Sequence, residues 1–170
     1  VQLKKWVNEI KDLSNSHFKS KKVAIDVING PAVTALNKAN IKVVDAKLIL
    51  EQARVIKSPE ELKCMKAALE VAEIGVSKMR NELKAGMTED ELWSILHKTN
   101  IEHGGEWVDC RLLSSGQRTN PWLQECSNKI IQKGEMLSFD TDMIGPYGYT
   151  ADISRTFVEG NKFSENQKKL

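Results

Sequence analysis

Apolar residues in the first 53 positions predict a small α/β unit. Four of them recur at helical spacing and predict an amphipathic helix over Gln2–Leu13. Two β-branched runs follow at residues 22–28 and 41–45, with an Asn-Gly-Pro turn and a short helix between them. Strands joined by a helix favour a parallel pair. Because two strands are too few for an independent sheet, we expect more of this domain to precede the chain.

Two capped helices are predicted after a linker at residues 52–57, where we place a domain boundary. Ser58 and Glu61 form a capping box around Pro59, and Thr88 begins the second helix with Glu91 in the matching position. Apolar residues of the first helix alternate by three and four, which predicts one buried face. The predicted buried residues are Leu62, Met65, Leu69, Ala72, Val76, Met79 and Leu83, followed by Leu92, Ile95 and Leu96 in the second helix.

From Trp107 onward the hydrophobic pattern changes to period two, which predicts strands. Residues 114–128 are polar and predict a loop, with Trp122 near its middle. Two further strand-like runs, 136–144 and 149–158, are separated by a Gly-Pro-Tyr-Gly segment. This arrangement predicts an antiparallel hairpin.

Composition narrows the classes of function. The chain has 170 residues, 41% of them hydrophobic, and a net charge of +2, which is typical of a globular protein and too balanced for nucleic-acid binding driven by bulk charge. No apolar run approaches the roughly 18 residues of a membrane span. The three cysteines are odd in number and far apart in sequence, which favours reduced thiols and a cytoplasmic location.

Three aspartates in the predicted hairpin are the candidate site. Asp140 and Asp142 project from one face of their strand, and a natural register places Asp142 opposite Asp152. Opposed side chains lie about 4.5–5.5 Å apart at Cβ, so these like charges repel unless a divalent cation joins them. Aspartates beside a Gly-Pro turn also occur as solvated turn residues, but three at this spacing favour a cation site. Oxygen ligands suit Mn, Fe or Co, and Zn is also possible.

The segment Ala151-Asp152-Ile153-Ser154-Arg155-Thr156-Phe157, preceded by Gly148-Tyr149, resembles the metal-ligand hairpin of the pita-bread metalloenzymes. This superfamily includes prolidase, aminopeptidase P, creatinase and methionine aminopeptidase. The resemblance implies an α+β fold, in which residues 54–170 form the first half of a pita-bread catalytic domain. Residues 1–53 are similar to the C-terminal part of a creatinase-like N-terminal α/β domain.

Two departures from the family pattern resemble the branch that contains the dimethylsulfoniopropionate lyases. Thr141 stands where the family's first aspartate usually lies, and Pro121-Trp122 replaces a Pro-His pair that helps the peptidases bind substrate. In that branch Asp140, Asp142 and Asp152 are all implied as metal ligands. Trp122 is therefore a candidate substrate-binding residue that offers its π face to a sulfonium, although packing of the indole on the hairpin is the slightly favoured interpretation.

The resemblance also implies what the site requires beyond these residues. The family holds two divalent ions and completes the site with a histidine and two glutamates downstream of the hairpin, whereas His17, His97 and His103 all precede it. We therefore expect the chain to be a fragment with no catalytic residue of its own, weak metal binding and no turnover. The parent protein is expected to be a homodimer that acts on a small molecule or dipeptide.

Three functions remain open at this point. The first is a dinuclear-metal hydrolase in which metal-activated water attacks a peptide-type C–N bond, as in the Xaa-Pro peptidases. The second is a lyase that releases dimethyl sulfide and acrylate from dimethylsulfoniopropionate. The third is a non-catalytic pita-bread binding module, which the intact aspartate hairpin disfavours.

Overall fold

The computed structural model describes residues 2–18 and 20–169. The chain folds as two compact units, Val1–Lys57 and Ser58–Leu170. The boundary expected between residues 53 and 54 lies inside a helix, Lys47–Val55. The assignment of the units to two domains of the family stays a prediction. Within the described ranges, no helix has both the length and the apolar character needed to cross a bilayer.

The first unit is built around a parallel strand pair. Its elements are α1 (Gln2–Leu13), β1 (Lys22–Ile25), α2 (Gly30–Lys38), β2 (Lys42–Asp45) and α3 (Lys47–Val55). The predicted pairing is confirmed, with Lys22 of β1 opposite Lys42 of β2, although β1 ends three residues earlier than the apolar run. Val7, Leu36 and Ile41 form the core of this unit.

The helix α3 is absent from the sequence-based prediction. Its N-cap residue, Ala46, makes no side-chain hydrogen bond, so the sequence lacks the capping signal that marks the starts of the later helices. Its last residues also fall in the segment 52–57 that the sequence predicts as a linker.

The second unit begins with the two predicted helices, α4 (Pro59–Glu82) and α5 (Glu89–Glu102). Both capping boxes are confirmed, with Ser58 and Glu61 on α4 and Thr88 and Glu91 on α5. In each box the side chains of the N-cap and the N3 glutamate satisfy backbone N–H groups that the helix itself leaves free.

The predicted buried face of α4 is partly wrong. Ala68, Val71, Ala72, Gly75 and Met79 are the buried positions, whereas Leu62, Met65 and Leu69 are 47%, 36% and 42% exposed. Small residues replace large ones at the contact because the neighbouring elements approach closely. A Cβ atom on Gly145 would lie 2.8 Å from the Ala68 Cβ, and one on Gly75 would lie 2.7 Å from the Leu96 Cδ1.

Six short strands form two antiparallel three-stranded sheets, with orders β4-β5-β8 and β3-β6-β7. The strands are β3 (Trp107–Val108), β4 (Leu113–Ser115), β5 (Met136–Asp140), β6 (Met143–Ile144), β7 (Thr150–Ala151) and β8 (Ser154–Val158). Each long strand predicted in the hairpin is therefore divided into two. The base of the hairpin, β5 and β8, belongs to one sheet, and its tip, β6 and β7, belongs to the other.

The core of the second unit lies between these sheets and the two helices. Leu92 and Leu96 of α5 are buried together with Leu137 and Phe139 of β5 and Met143 of β6. Ser114 and Ser115 are also fully buried in β4, so the loop predicted from residue 114 begins later, at residue 116. One face of β5 thus packs in the core, which leaves its other face, with Ser138 and Asp140, for the site.

Candidate metal centre

The candidate site lies where the hairpin strands are interrupted. Asp140 ends β5, Asp142 lies between β5 and β6, and Asp152 lies between β7 and β8. The two ladders on either side keep one register, with Asp140 opposite Ser154 and Met143 opposite Ala151. Asp142 is therefore opposite Asp152, which is the register predicted from the sequence.

Thr141 connects the two hairpin strands at the point where their ladder is interrupted. Its side chain is fully buried, and its Oγ1 accepts a hydrogen bond of 2.8 Å from the Ile153 N–H and donates one of 3.0 Å to the Ala151 carbonyl. The hydroxyl thus bridges two backbone groups of the opposite strand where the ladder is broken. Asp142 follows with φ of 35°, in the left-handed region that aspartate tolerates better than most residues.

The three carboxylates converge as a result of this geometry. One oxygen from each of Asp140, Asp142 and Asp152 lies within 4.8 Å of the other two, and the first two side chains are half-buried. Metal–oxygen bonds of about 2.0–2.6 Å place ligand oxygens no more than about 4–5 Å apart around one ion, so this separation fits a shared cation. The structure brings together all three aspartates singled out from the sequence.

The electrostatics of the cluster favour a cation. A hydrogen bond with Asp140, burial, and the charges of Asp140 and Asp142 raise the pKa of Asp152 to about 6. Burial and the charge of Asp140 also raise the pKa of Asp142. Among residues 2–18 and 20–169, no lysine or arginine forms an ion pair with these carboxylates. Their oxygen-only donor set and uncompensated charge therefore fit a divalent ion.

Residues 109 and 110, which follow β3, contact Asp142. The sequence pattern gives no sign of this contact. The Asp109 N–H donates a 2.9 Å hydrogen bond to the Asp142 carbonyl, and the Cys110 thiol is close enough to the Asp142 carboxylate to lower the pKa of that carboxyl. Burial and the charge of Asp142 raise the pKa of the Cys110 thiol, so the thiol stays protonated as the donor. Alternation along residues 107–112 indicates only a strand and gives no signal for this contact.

Trp122 lines a cavity that lies beside the aspartate cluster. The cavity has a volume of about 500 Å³ and is lined by Trp122, Ser138, Phe139, Ser154, Arg155 and Thr156. Ser154 lies at its border with the cluster, because its Oγ donates a 2.9 Å hydrogen bond to Asp140 Oδ1. Ser138 and Thr156 are 3.1 Å apart between their oxygens and continue this row of hydroxyls. The indole and the aspartates therefore border one continuous region of the surface.

The candidate cluster contains no histidine among the described residues. His97 lies on α5, where burial and the charge of Arg111 lower its pKa and favour the neutral ring. His103 is the C-cap residue of α5, and its Nδ1 is 2.8 Å from the Thr99 carbonyl oxygen. His97 and His103 therefore belong to α5 and its C-cap, and neither is part of the aspartate cluster.

Comparison with known proteins places this architecture among the metallopeptidases. The model of metallopeptidase family M24 matches residues 63–170. Two similar relatives are the dimethylsulfoniopropionate lyases DddP of Roseovarius nubinhibens, 41% identical over 91% of this chain, and of Roseobacter denitrificans, 37% identical over 92%. The chain spans 36% of the length of each. A similar solved structure is the X-Pro aminopeptidase from Thermotoga maritima, with a TM-score of 0.83, 24% identity, and coverage of 97% of this chain and 47% of that one.

The helices, the divided hairpin and the aspartate cluster define a chain of the pita-bread type, and the predicted α+β fold is confirmed. The chain belongs to metallopeptidase family M24. Its resemblance to the branch with the dimethylsulfoniopropionate lyases is also confirmed, by the identity to two such enzymes.

Replacing Thr141 by valine is expected to destabilise the second unit. Valine fills the same volume but leaves the buried Ile153 N–H and Ala151 carbonyl without the hydroxyl partner, at a cost of about 1–3 kcal/mol. Urea denaturation gives the free energy of unfolding, and Thr141→Ser is the control because it keeps the hydroxyl. Equal stability of the two variants would contradict the bridging role of Thr141.

The stability of the metal-free chain is expected to depend on pH through Asp152. Its pKa is raised from 3.8 to about 6, so the folded state binds this proton more tightly than the unfolded state. The stabilisation is therefore complete below about pH 4 and is lost as the pH rises through about 6. In EDTA, the free energy of unfolding of the wild type relative to Asp152→Asn should fall across this range and level off above it. A difference that stays constant with pH would show that Asp152 titrates normally.

Proposed function

We propose that Asp140, Asp142 and Asp152 are ligands of divalent metal ions in an enzyme of family M24. The observation that carries the proposal is the convergence of three carboxylate oxygens within 4.8 Å without a compensating basic side chain among the described residues. A bound divalent ion supplies Lewis acidity at such a site. The chain's own contribution is to fix the oxygens with the Thr141 bridge and to hold Asp142 with the Asp109 and Cys110 segment.

We further propose that the parent protein cleaves dimethylsulfoniopropionate. The cavity beside Asp140 is lined by Trp122 together with the hydroxyls of Ser138, Ser154 and Thr156, and an indole suits a substrate that carries a sulfonium. A cation over a tryptophan ring is stabilised by about 0.5–2 kcal/mol. Two relatives at 37% and 41% identity are named dimethylsulfoniopropionate lyases, which supports this activity over the hydrolysis placed first by the sequence alone.

Hydrolysis of an Xaa-Pro peptide is the second candidate. The family is a metallopeptidase family, and a solved structure with the same fold is named an X-Pro aminopeptidase. The aspartate cluster serves this chemistry as well, because metal-activated water needs the same oxygen ligands. The feature that disfavours it is Trp122 in the place of the family's histidine, since an indole cannot donate and recover a proton at a substrate carbonyl.

Several expectations accompany the proposal and rest on the resemblance. They are two metal ions of Mn, Fe, Co or Zn, further ligands from a histidine and two glutamates downstream, and a homodimer. A cytoplasmic location, expected from the three cysteines, is a prediction as well. The inactivity of this 170-residue chain by itself also stays a prediction.

Metal binding tests the first proposal. In the complete gene product, Asp140→Asn, Asp142→Asn and Asp152→Asn should each weaken Mn²⁺ binding by at least about tenfold in calorimetric titrations. Asp109→Asn is the matched control, because it removes an equal charge near Asp142 from a side chain outside the cluster. Unchanged Mn²⁺ affinity in all three cluster variants would overturn the metal site.

Turnover separates the two activities. The complete gene product, loaded with Mn²⁺ or Fe²⁺, should release dimethyl sulfide from dimethylsulfoniopropionate and leave an Xaa-Pro dipeptide intact. Trp122→Ala should raise KM for the sulfonium about 2- to 30-fold, whereas Trp122→Phe retains an aromatic face and should have a smaller effect. Cleavage of the dipeptide without release of dimethyl sulfide would favour hydrolysis instead.

A further inference from the structure

A buried carboxylate holds the loop that carries Trp122. Glu89 is the first residue of α5, and its side chain is fully buried. It is not needed as a helix cap, because Thr88 and Glu91 already form the capping box. An ionised group in this position requires several hydrogen bonds to offset its loss of hydration. The loop 116–126 and the residues directly before and after it supply them.

The residues that flank this loop both bind Glu89. Ser115, directly before the loop, donates hydrogen bonds of 2.8 Å to Glu89 Oε1 from both its N–H and its Oγ. Ser127, directly after the loop, donates to Glu89 Oε2 from its N–H at 3.2 Å and its Oγ at 2.9 Å. One carboxylate therefore joins the two stems of the loop.

Arg118 extends the same network into the loop. Its Nη1 donates to Glu89 Oε2 and, at 2.9 Å, to Ser127 Oγ. Its Nη2 donates a 2.8 Å hydrogen bond to the Glu125 carbonyl. The guanidinium thus balances the buried charge and connects the beginning of the loop to its end.

Trp122 lies between these anchored positions. Within the loop, Gln124 Nε2 donates to the Pro121 carbonyl at 3.2 Å, a contact between exposed residues of the loop itself. The indole is 40% exposed and reaches the cavity with Ser138 and Ser154. Its position in this cavity therefore depends on where the stems are held.

We propose that Glu89 is a positioning residue for the substrate cavity and acts through Trp122. Its carboxylate fixes both loop stems, and this fixes the indole beside the hydroxyls that border Asp140. The effect on substrate rests on the proposed function of Trp122, whereas the effect on the position of the indole does not.

The position of the indole is measured in this chain by fluorine NMR with 5-fluorotryptophan, which labels all four tryptophans. Glu89→Gln keeps the size of the side chain but turns an amide N–H₂ toward the donors of one stem. We expect the Trp122 resonance, assigned by its loss in Trp122→Phe, to shift or broaden. The resonance of Trp93, which is buried in the core, should stay in place and report an intact fold.

The matched control is Glu102→Gln, which removes the same charge from the other end of α5, at a residue that pairs with Lys78 and Lys98. It should leave the Trp122 resonance unchanged. If Glu89→Gln disturbs the Trp93 resonance as well, Ser127→Ala decides, because it removes the hydroxyl of one stem and should still move Trp122 alone. An unmoved Trp122 resonance in the folded variant overturns the proposal.

A double-mutant cycle in the complete gene product tests the functional consequence. Glu89→Gln should raise KM for dimethylsulfoniopropionate by about threefold or more with a smaller change in kcat, and this effect should largely vanish in the Trp122→Ala background. Additive effects in the cycle would show that Glu89 acts without Trp122. Absence of lyase turnover in the wild type would overturn the proposed function, while the NMR result would still decide the role of Glu89 in placing the indole.

Discussion

Three like charges lie close together in this hairpin, and their mutual repulsion is the constraint that shapes its surroundings. An uninterrupted ladder would pair every backbone group and would leave Asp142 in extended geometry. The structure instead breaks both strands at the same level, and the buried Thr141 hydroxyl satisfies two backbone groups of the opposite strand at the break. Burial and the charge of Asp140 raise the pKa of Asp142, and a hydrogen bond with Asp140, burial and the neighbouring charges raise the pKa of Asp152.

The support for this arrangement comes from elements that are distant in sequence. Phe139 and Met143 anchor the hairpin strand in the core on either side of Asp140 and Asp142. The segment at Asp109 and Cys110 restrains Asp142 from the neighbouring sheet. Glu89, the first residue of α5, binds both stems of the loop that carries Trp122. The site is thus supported on one side by apolar burial and on the other by the hydrogen-bond network of buried Glu89.

Sequence reasoning succeeded where a local rule determines the structure. The capping boxes at Ser58 and Thr88 and the register of Asp142 with Asp152 follow from spacing alone, since each depends on neighbours within one element or one hairpin. It failed where a distant partner decides. The buried face of α4 turns toward Ala68 and Gly75 because close approach excludes larger side chains, and Ser115 is buried because Glu89 accepts its hydrogen bonds. The cavity at Trp122 likewise depends on the path of a loop, which periodicity does not describe.

The contact between Gly145 and Ala68 has a consequence for how this hairpin can change. A single methyl group separates the hairpin from α4, and Gly145 lies three positions after Asp142. Any larger side chain at either position would move the hairpin tip away from the helix and displace Asp142, a proposed metal ligand, at the same time. If Asp142 has that proposed role, one substitution here would change thermal stability and cation affinity together.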